Sequence, residues 1–368
     1  MHPHQILNAI ADLPRIPLAH KNTPIEEMPR LRAAIAESMD SDITAVPPLF
    51  IKRDDTTGFA FGGNKARHME FLFAHLIERG IDTIVNINHY DSNNARLAAA
   101  ASAKTGMKYH WVAFDELDAA IQGNMLIAHL TGANIHRIPK DETRPYAESL
   151  LAHETNLGRN PTILLDNAFS NIAGMIAFLE TAHELENQIY RYSETPSRHS
   201  RESGNPGAGP TTQPLSPTDP IHFWGLCGRS IAGIILYARN TGKPWTATAV
   251  AQPHYTPENY QELYLDRSTR VAELLNLDTP LHPGDISTLT GYTKIYGIPT
   301  DLGIEAMHLV AQTEAIILDP TYTAKSMSAL IAEIRLGKVD PDIPVVFIHS
   351  GGQPQTFAFA DQIWNHNA

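Results

Sequence analysis

Apolar residues recur along the chain with two periods, and the alternation of these periods predicts an α/β protein. Met69, Leu72 and Leu76 are spaced three or four residues apart, which is the spacing of one face of an amphipathic helix. Gly80 follows directly, at a position where glycine commonly ends a helix. The run 82–87, with Ile84, Val85 and Ile87, is typical of a buried strand. The pattern therefore predicts a helix after Lys65 and then a strand.

Strand and helix patterns continue to alternate along the rest of the chain. Further strands are predicted at 49–52, 109–114, 134–138, 162–165, 221–224, 245–251, 315–318 and 344–348. Further helices are predicted at 4–13, 28–39, 95–104, 116–130, 146–154, 172–189, 234–239, 257–275, 302–312 and 327–336. Repeated strand and helix units form a parallel sheet covered by helices. We therefore predict two three-layer α/β domains with open, mostly parallel sheets.

One segment interrupts this alternation. Residues 193–220 are rich in Ser, Pro, Gly and Arg and contain almost no aliphatic side chains. Such a segment cannot bury enough apolar surface to offset the entropy lost on ordering. Because strand and helix patterns resume directly after it, we expect a disordered insertion within a domain and not a domain boundary.

Composition narrows the class of protein. The 368 residues are 43% hydrophobic and 18% charged, as in ordinary globular proteins. A net charge of −12 without a basic patch argues against a nucleic-acid partner. The single cysteine, Cys227, cannot form an internal disulfide, which fits a reducing cytoplasm. Residues 1–17 lack a signal-peptide pattern, and no apolar run is long enough to cross a bilayer. We expect a cytoplasmic protein without a membrane partner.

Lys65 is the first candidate for chemistry. It follows the Gly62-Gly63 turn and precedes the helix, so the positive end of the helix dipole favours loss of its proton. A neutral lysine amine is a nucleophile and forms Schiff bases. The alternative is a solvated surface lysine, which is common after turns.

Two glycine- or asparagine-containing turns could bind anions. The turn Ser92-Asn93-Asn94 lies between a predicted strand and a predicted helix, and 225–233 is a glycine-containing loop before another helix. Free N–H groups at helix N-termini bind carboxylates and phosphates. Ordinary capping and a structural turn are the alternatives. The 18 histidines show no ligand spacing, so no metal site is predicted.

Several motifs together resemble one enzyme family. Lys65 ends a Gly-Gly-Asn-Lys motif, and the matching segments are 50–55, 62–67, 293–299, 318–326 and 345–352. They resemble the 1-aminocyclopropane-1-carboxylate deaminase and D-cysteine desulfhydrase family, whose members are pyridoxal-phosphate enzymes of the tryptophan-synthase-β-like fold. The resemblance spans about 12–357, apart from the insertion. It implies pyridoxal 5′-phosphate as cofactor, carried by Lys65 as a Schiff base, and a homodimer.

The resemblance also implies a domain arrangement. A small domain of residues 62–167 would be inserted in a large cofactor-binding domain of residues 1–61 and 168–368. The cofactor would lie in the cleft between them, where ligand sites are common.

The resemblance assigns roles to individual residues. The implied catalytic residues are Lys65, Ser92, Tyr296 and Tyr322. The implied cofactor-binding residues are Lys65, Asn93, Gly225, Cys227, Gly228, Arg229, Ser230 and Thr323. The implied substrate-binding residues are Ser92, Asn93, Asn94 and Ser350.

Departures from the family pattern keep the function open. Asp91 and Asn94 differ from the family's turn, and Leu226 and Arg229 stand where its loop has glycines. Thr323 stands where deaminases carry glutamate and desulfhydrases carry threonine. A neutral hydroxyl would not keep a pyridine nitrogen protonated, so D-cysteine desulfhydrase is the preferred prediction. 1-Aminocyclopropane-1-carboxylate deaminase and a cofactor-fold protein of little activity are the alternatives.

Overall fold

The computed structural model describes residues 1–115, 120–194, 215–216 and 218–367. Its strands are β1 (Ile25–Glu27), β2 (Leu49–Lys52), β3 (Thr83–His89), β4 (Lys108–Phe114), β5 (Asn134–Arg137), β6 (Pro161–Ile163), β7 (Ile221–Leu226), β8 (Trp245–Val250), β9 (Ser287–Leu289) and β10 (Val345–Ile348). Its α-helices are α1 (Pro3–Ala11), α2 (Pro29–Ser38), α3 (Lys65–Glu78), α4 (Asn93–Thr105), α5 (Gly123–Leu130), α6 (Thr143–Asn156), α7 (Ala173–Glu194), α8 (Arg229–Thr241), α9 (Pro257–Leu275), α10 (Asp301–Glu314), α11 (Thr323–Arg335), α12 (Pro354–Ala358) and α13 (Ala360–Trp364).

The described strands form two sheets. The first has six strands in the order β1-β2-β10-β7-β8-β9, and the second has four in the order β5-β4-β3-β6. All neighbouring strands are parallel except β1, which is antiparallel to β2. The predicted α/β class with mostly parallel sheets is confirmed. The four-stranded sheet lies within 62–167, whereas the six-stranded sheet draws strands from both sides of that segment.

Helix α3 is confirmed, and it is more buried than an amphipathic pattern requires. Its apolar face is buried as predicted, but the charged residues Arg67 and Glu70 are each only 1% exposed. The reason is its position between α7 and α4, which cover it on two sides. Gly80 has a φ of +66° directly after the helix, as expected of a terminating glycine.

Helices α7 and α8 pack against each other beneath the six-stranded sheet. A Cβ on Gly233 of α8 would lie 2.6 Å from the carbonyl oxygen of Met175 and 2.6 Å from Cβ of Phe178. Only glycine therefore allows this close crossing. The crossing fixes the N-terminus of α8 relative to α3, which also packs on α7.

Some predicted elements differ from the structure. The predicted strand 315–318 is wrong: Ala315 has a left-handed φ of 55° at the end of α10. In the irregular backbone that follows, Ile316 and Leu318 are buried and Ile317 is exposed. The predicted helix 116–130 begins at Gly123, and 116–119 lie outside the described residues. The short edge strands β1 and β9 were not predicted.

The predicted insertion lies mostly outside the described residues. Helix α7 runs to Glu194, past the expected start of the insertion. Leu215 is buried, with 2% of its surface exposed. Across the part of the chain that is described, no helix combines the length and the apolar character needed to span a membrane.

Candidate active site

Two adjoining cavities lie at the carboxyl ends of strands from both sheets, the edge where ligands of α/β proteins bind. The inner cavity has a volume of about 160 Å³ and reaches the loop after β7. The outer cavity has a volume of about 710 Å³ and reaches the ends of β3 and β4. Five residues line both: Lys65, Cys227, Gln252, Tyr255 and Tyr322.

Lys65 is held at this junction by a close contact between two turns. The N–H of Asn64 donates to the carbonyl oxygen of Ser350 at 3.0 Å. Gly63 and Gly351 both have positive φ, and a Cβ on Gly351 would lie 2.5 Å from Cα of Gly63. Two glycines are therefore needed for the loop after β10 to support the start of α3.

The surroundings of Lys65 lower its pKa to about 8. Burial is the largest cause, and the cations Arg229 and Arg96 add to it, while Asp319 opposes them. The Lys65 Nζ lies 3.3 Å from Oδ1 of Asn64 and 5.7 Å from the centroid of the Tyr322 ring. The amine is thus deprotonated in a far larger fraction near neutral pH than an ordinary lysine.

The inner cavity is suited to an anion. Helix α8 begins at Arg229 with no side-chain cap, so N–H groups of its first turn are available. The glycine Gly228 precedes it, and a Cβ there would have only one atom nearby, at 3.9 Å. Arg229 and Arg267 line the same cavity, and neither forms an ion pair with a carboxylate among the residues described. Positive charge and free N–H groups therefore converge here.

His68 adds a further group that lacks a partner. It lies one helical turn after Lys65, is 5% exposed and lines the inner cavity. Within the described part of the chain, neither ring nitrogen has a hydrogen-bond partner. Burial and the cations Arg229, Lys65 and Arg67 lower its pKa well below the usual value, so His68 is neutral and keeps one N–H donor.

The turn after β3 contributes to both cavities. Asn93 lines the inner cavity, and Ser92 and Asn94 line the outer one. The Ser92 hydroxyl donates to Oδ1 of Asn88 at 3.1 Å and accepts from the N–H of Ala95 at 3.2 Å. Ser92 therefore caps helix α4 and also lines the outer cavity.

This turn is tied to helices α5 and α12 by buried hydrogen bonds. The Asn124 amide donates to the carbonyl oxygen of Asp91 at 2.6 Å and to Oδ1 of Asn93 at 2.9 Å. The Gln355 amide donates to the Asp91 carboxylate and accepts from the Asn124 N–H at 2.9 Å. Asp91, which differs from the family pattern, is therefore hydrogen-bonded to Gln355.

The two predicted tyrosines meet beside Lys65. Their hydroxyl groups are hydrogen-bonded to each other, and burial is the main cause that raises the pKa of both Tyr296 and Tyr322. Both phenols therefore stay protonated. The edge of His89 contacts the Tyr296 ring at a centroid distance of 4.8 Å, and burial lowers the pKa of His89 to about 4.

Three further predicted residues differ in how they face the cavities. Thr323 lines neither; its hydroxyl donates to Oδ1 of Asp319 at 2.6 Å and accepts from the Asp319 N–H at 2.8 Å. Ser350 lines the inner cavity. Cys227 lines both, and its thiol donates to the carbonyl oxygen of Ala249 at 3.6 Å. Burial raises the pKa of this thiol, so it stays protonated.

The structure brings most of the predicted residues together and adds others. Gly225, Cys227, Gly228, Arg229 and Ser230 all line the inner cavity. Residues that were not predicted are His68, Gln252, Tyr255 and Arg267 in the inner wall and His89, Lys140, His254 and Lys294 in the outer wall. Spacing from Lys65 could have pointed to His68. No sequence pattern marked the rest, which reach the cavities through tertiary packing.

Comparisons with known proteins match nearly the whole chain. A family model described as pyridoxal-phosphate dependent enzyme matches residues 16–198. 1-Aminocyclopropane-1-carboxylate deaminase of Burkholderia vietnamiensis is 28% identical over 362 residues, covering 95% of this chain and 97% of the relative. The deaminase of Burkholderia multivorans is 27% identical, with 94% and 96% covered.

Solved structures show the same fold. A structure described as an ACC deaminase homologue aligns with a TM-score of 0.75 and 23% identity over 100% of both chains. Threonine deaminase isoform 2 of Solanum lycopersicum aligns with a TM-score of 0.59 and 14% identity, covering 99% of this chain and 88% of the other.

Proposed function

The chain belongs to the pyridoxal-phosphate dependent enzymes, within the family of 1-aminocyclopropane-1-carboxylate deaminase and D-cysteine desulfhydrase, and from that premise we propose that it eliminates the β-substituent of a small amino acid. The preferred substrate is D-cysteine, with pyruvate, ammonia and sulfide as products. The observation that carries this proposal is the position of Lys65, whose amine has a pKa of about 8 and lies between an anion-binding inner cavity and an outer cavity.

The residues of the inner cavity fit the cofactor. The first turn of α8, Arg229 and the unpartnered His68 would hold its phosphate. Lys65 would carry it covalently, and Asn93 would face its ring hydroxyl. When bound, the cofactor supplies an electron sink for the pair released at the substrate α-carbon.

The protein's own groups would move the protons. The neutral amine of Lys65 is suited to accept the α-proton, because its lowered pKa lies close to neutral pH. The paired phenols of Tyr296 and Tyr322 can donate a proton to a departing group. Ser92 and Asn94 in the outer wall can hold the substrate carboxylate. The Cα–H pair then forms the Cα=Cβ bond, and the Cβ–S pair leaves on sulfur. The released 2-aminoacrylate takes up water, which supplies the carbonyl oxygen of pyruvate as ammonia departs.

The inner wall supports elimination over cyclopropane opening. Of the described residues that line the inner cavity, none is a carboxylate, so none would keep a pyridine nitrogen protonated. The Thr323 hydroxyl is engaged by Asp319, which is itself buried. A cofactor whose pyridine nitrogen is not protonated is a weaker electron sink. It suffices for loss of a thiol, because the departing sulfur itself accepts negative charge.

A second candidate is deamination of 1-aminocyclopropane-1-carboxylate. It is favoured by the names of the relatives that match over most of the chain. It would give 2-oxobutyrate in place of pyruvate. The third possibility is a cofactor-binding protein of little activity.

The experiment supplies purified holoprotein with D-cysteine and with 1-aminocyclopropane-1-carboxylate in parallel. We expect pyruvate and sulfide from D-cysteine, no 2-oxobutyrate, and no product from Lys65→Ala. As a matched control, Lys104→Ala changes a lysine in the last turn of α4 and should keep full turnover. Release of 2-oxobutyrate alone would establish the deaminase, and absence of both products would leave the binding protein.

Location and assembly complete the proposal. The family resemblance supports a homodimer, and the single cysteine fits the cytoplasm. Light scattering coupled to size-exclusion chromatography checks the dimer, since a mass equal to that of one chain would contradict it.

A further inference from the structure

Gln252 places a buried amide at the junction of the two cavities. Its side chain is 4% exposed and lines both cavities. Neither Oε1 nor Nε2 forms a hydrogen bond with any residue that the structure describes. A buried amide left without hydrogen bonds destabilises the folded protein, so this position calls for a ligand that supplies both hydrogen bonds.

The backbone around Gln252 is fixed, which directs the side chain. The Ala251 N–H donates to the carbonyl oxygen of Leu289 at 2.8 Å, and the carbonyl oxygen of Gln252 accepts from the Tyr255 N–H at 2.8 Å. The hydroxyl of Thr293 donates to the carbonyl oxygen of Ala251 at 2.6 Å. Hydrogen bonds before and after Gln252 thus hold its backbone just beyond the end of β8. Gln252 and Lys65 both line the two cavities.

We propose that the Gln252 carboxamide binds the polar group on Cβ of the amino-acid substrate and thereby selects a thiol or a hydroxyl there. This inference rests on the proposed function. A carboxamide offers one acceptor and an N–H donor, and a thiol or hydroxyl offers the complementary pair. A cyclopropane methylene offers neither.

The same N–H group would act when the leaving group departs. As the Cβ–S bond breaks, its electron pair moves onto sulfur, while the Cα–H pair forms the Cα=Cβ bond. The donor Nε2–H stabilises the negative charge that develops on the sulfur or oxygen. Gln252 therefore contributes both to selection of the substrate and to the rate of elimination.

The test combines Gln252→Leu with substrates that differ only at Cβ. For D-cysteine and D-serine, we expect kcat/KM to fall about tenfold to a hundredfold, as for loss of a hydrogen bond to a charged group. For 3-chloro-D-alanine the loss should stay within about twofold, because chloride leaves without help from a hydrogen bond. Gln312→Leu, an exposed glutamine on α10, is the control and should change none of these values.

A binding measurement keeps the test independent of turnover. Stopped-flow absorbance changes recorded before elimination give dissociation constants for D-serine and D-alanine; Gln252→Leu should abolish the preference for serine and leave alanine binding unchanged. The proposal is overturned if the variant keeps that preference, loses turnover equally with all three substrates, or binds pyridoxal phosphate more weakly. If the unaltered protein eliminates nothing but shows a Gln252-dependent preference, the proposed function fails and the role of Gln252 stands.

Discussion

At the scale of single residues, positive charge shapes the chemistry of the cleft. Lys65, Arg229 and Arg267 line one small cavity, and repulsion from Arg229 opposes protonation of the lysine more strongly than Asp319 favours it. The same repulsion is relieved when a phosphate enters. Cofactor binding and lysine reactivity are thus coupled through a few side chains.

The pKa of Lys65 can be measured by its reactivity. Only the neutral amine reacts with acetic anhydride, and the pKa is lowered from 10.5 to about 8. In the apoprotein, the fraction of Lys65 that is acetylated should therefore rise with pH around a midpoint near 8. Mass spectrometry of the peptide that contains Lys65 measures this fraction. Arg229→Gln removes a cation that lowers this pKa and should move the midpoint upward. Arg79→Gln, at the far end of α3, should not; a midpoint near 10.5 in the unaltered protein would contradict the prediction.

His68 should contribute to phosphate binding. His68→Leu removes a neutral N–H donor from the inner cavity, so the dissociation constant for pyridoxal phosphate should rise about tenfold, the effect of one hydrogen bond to a charged group. Equilibrium dialysis of the apoprotein measures it. Binding of pyridoxal, which has no phosphate, should be unchanged, and His129→Leu on the exposed side of α5 should alter neither. Equal losses for both ligands would show that His68 acts elsewhere.

At the scale of elements, helix α12 supports the turn after β3 across the cleft. Gln355 lies at the start of α12 and is hydrogen-bonded to Asp91 and Asn124. Asn124 in turn holds Asn93. A short helix late in the chain therefore orients residues that face both cavities.

Loss of the Gln355 amide should weaken ligand binding at this turn. Gln355→Leu leaves the Asp91 carboxylate without this donor, so the turn should shift and the dissociation constant for D-alanine should rise several-fold in absorbance titrations. Gln122→Leu is the matched control, because its amide also reaches the C-terminal region but contacts the carbonyl oxygen of Ala358 at the surface. Unchanged D-alanine binding in Gln355→Leu would contradict the prediction.

The same elements show how far the sequence predicts the fold. Helix α3 and strands β3 and β4 have clear periodicity, and their positions were predicted within a few residues. Strands β1 and β9 have three residues each, too few for a pattern, and depend on pairing with distant strands. The apolar segment 315–318 resembles a strand in sequence, but after the left-handed residue Ala315 it pairs with no described strand, and only Ile316 and Leu318 reach the core.

The candidate site was predictable where residues stand in motifs. Lys65, the turn 92–94 and the loop 225–230 follow one another in sequence and meet the cavities. Gln252 and His68 differ in kind, because what marks them is a missing hydrogen-bond partner. That property exists only after folding, so no local pattern could reveal it.

At the scale of the whole molecule, a buried ionic cluster joins distant parts of the chain. Arg67 is 1% exposed; its guanidinium donates to Glu184 at 2.9 Å and to Asp54 at 3.0 Å. Lys52 of β2 binds the same glutamate. The cluster thus connects α3, α7 and the segment after β2, and it explains why Lys52 and Asp54 of the segment 50–55 can be buried.

Breaking this cluster should destabilise the protein as a whole. Arg67→Met leaves the buried carboxylate of Asp54 without its cation and Glu184 with Lys52 alone, so the free energy of unfolding of the apoprotein should fall by about 3–5 kcal/mol in denaturant titrations. Arg144→Met removes an exposed arginine that also contacts two carboxylates, and it should cause no measurable change. Similar effects of both substitutions would argue against a structural role for the cluster.

The contact between the Lys65 turn and the loop after β10 has a consequence for synthesis. The N–H of Asn64 is satisfied by Ser350, and Gly63 packs on Gly351, although the two turns lie far apart in the sequence. Domains form in order as the chain leaves the ribosome, so the four-stranded sheet can fold while its lysine still lacks this support. The junction around Lys65 is therefore completed only after residues 350–351 have emerged and packed against it, later than the four-stranded sheet that carries the rest of its helix.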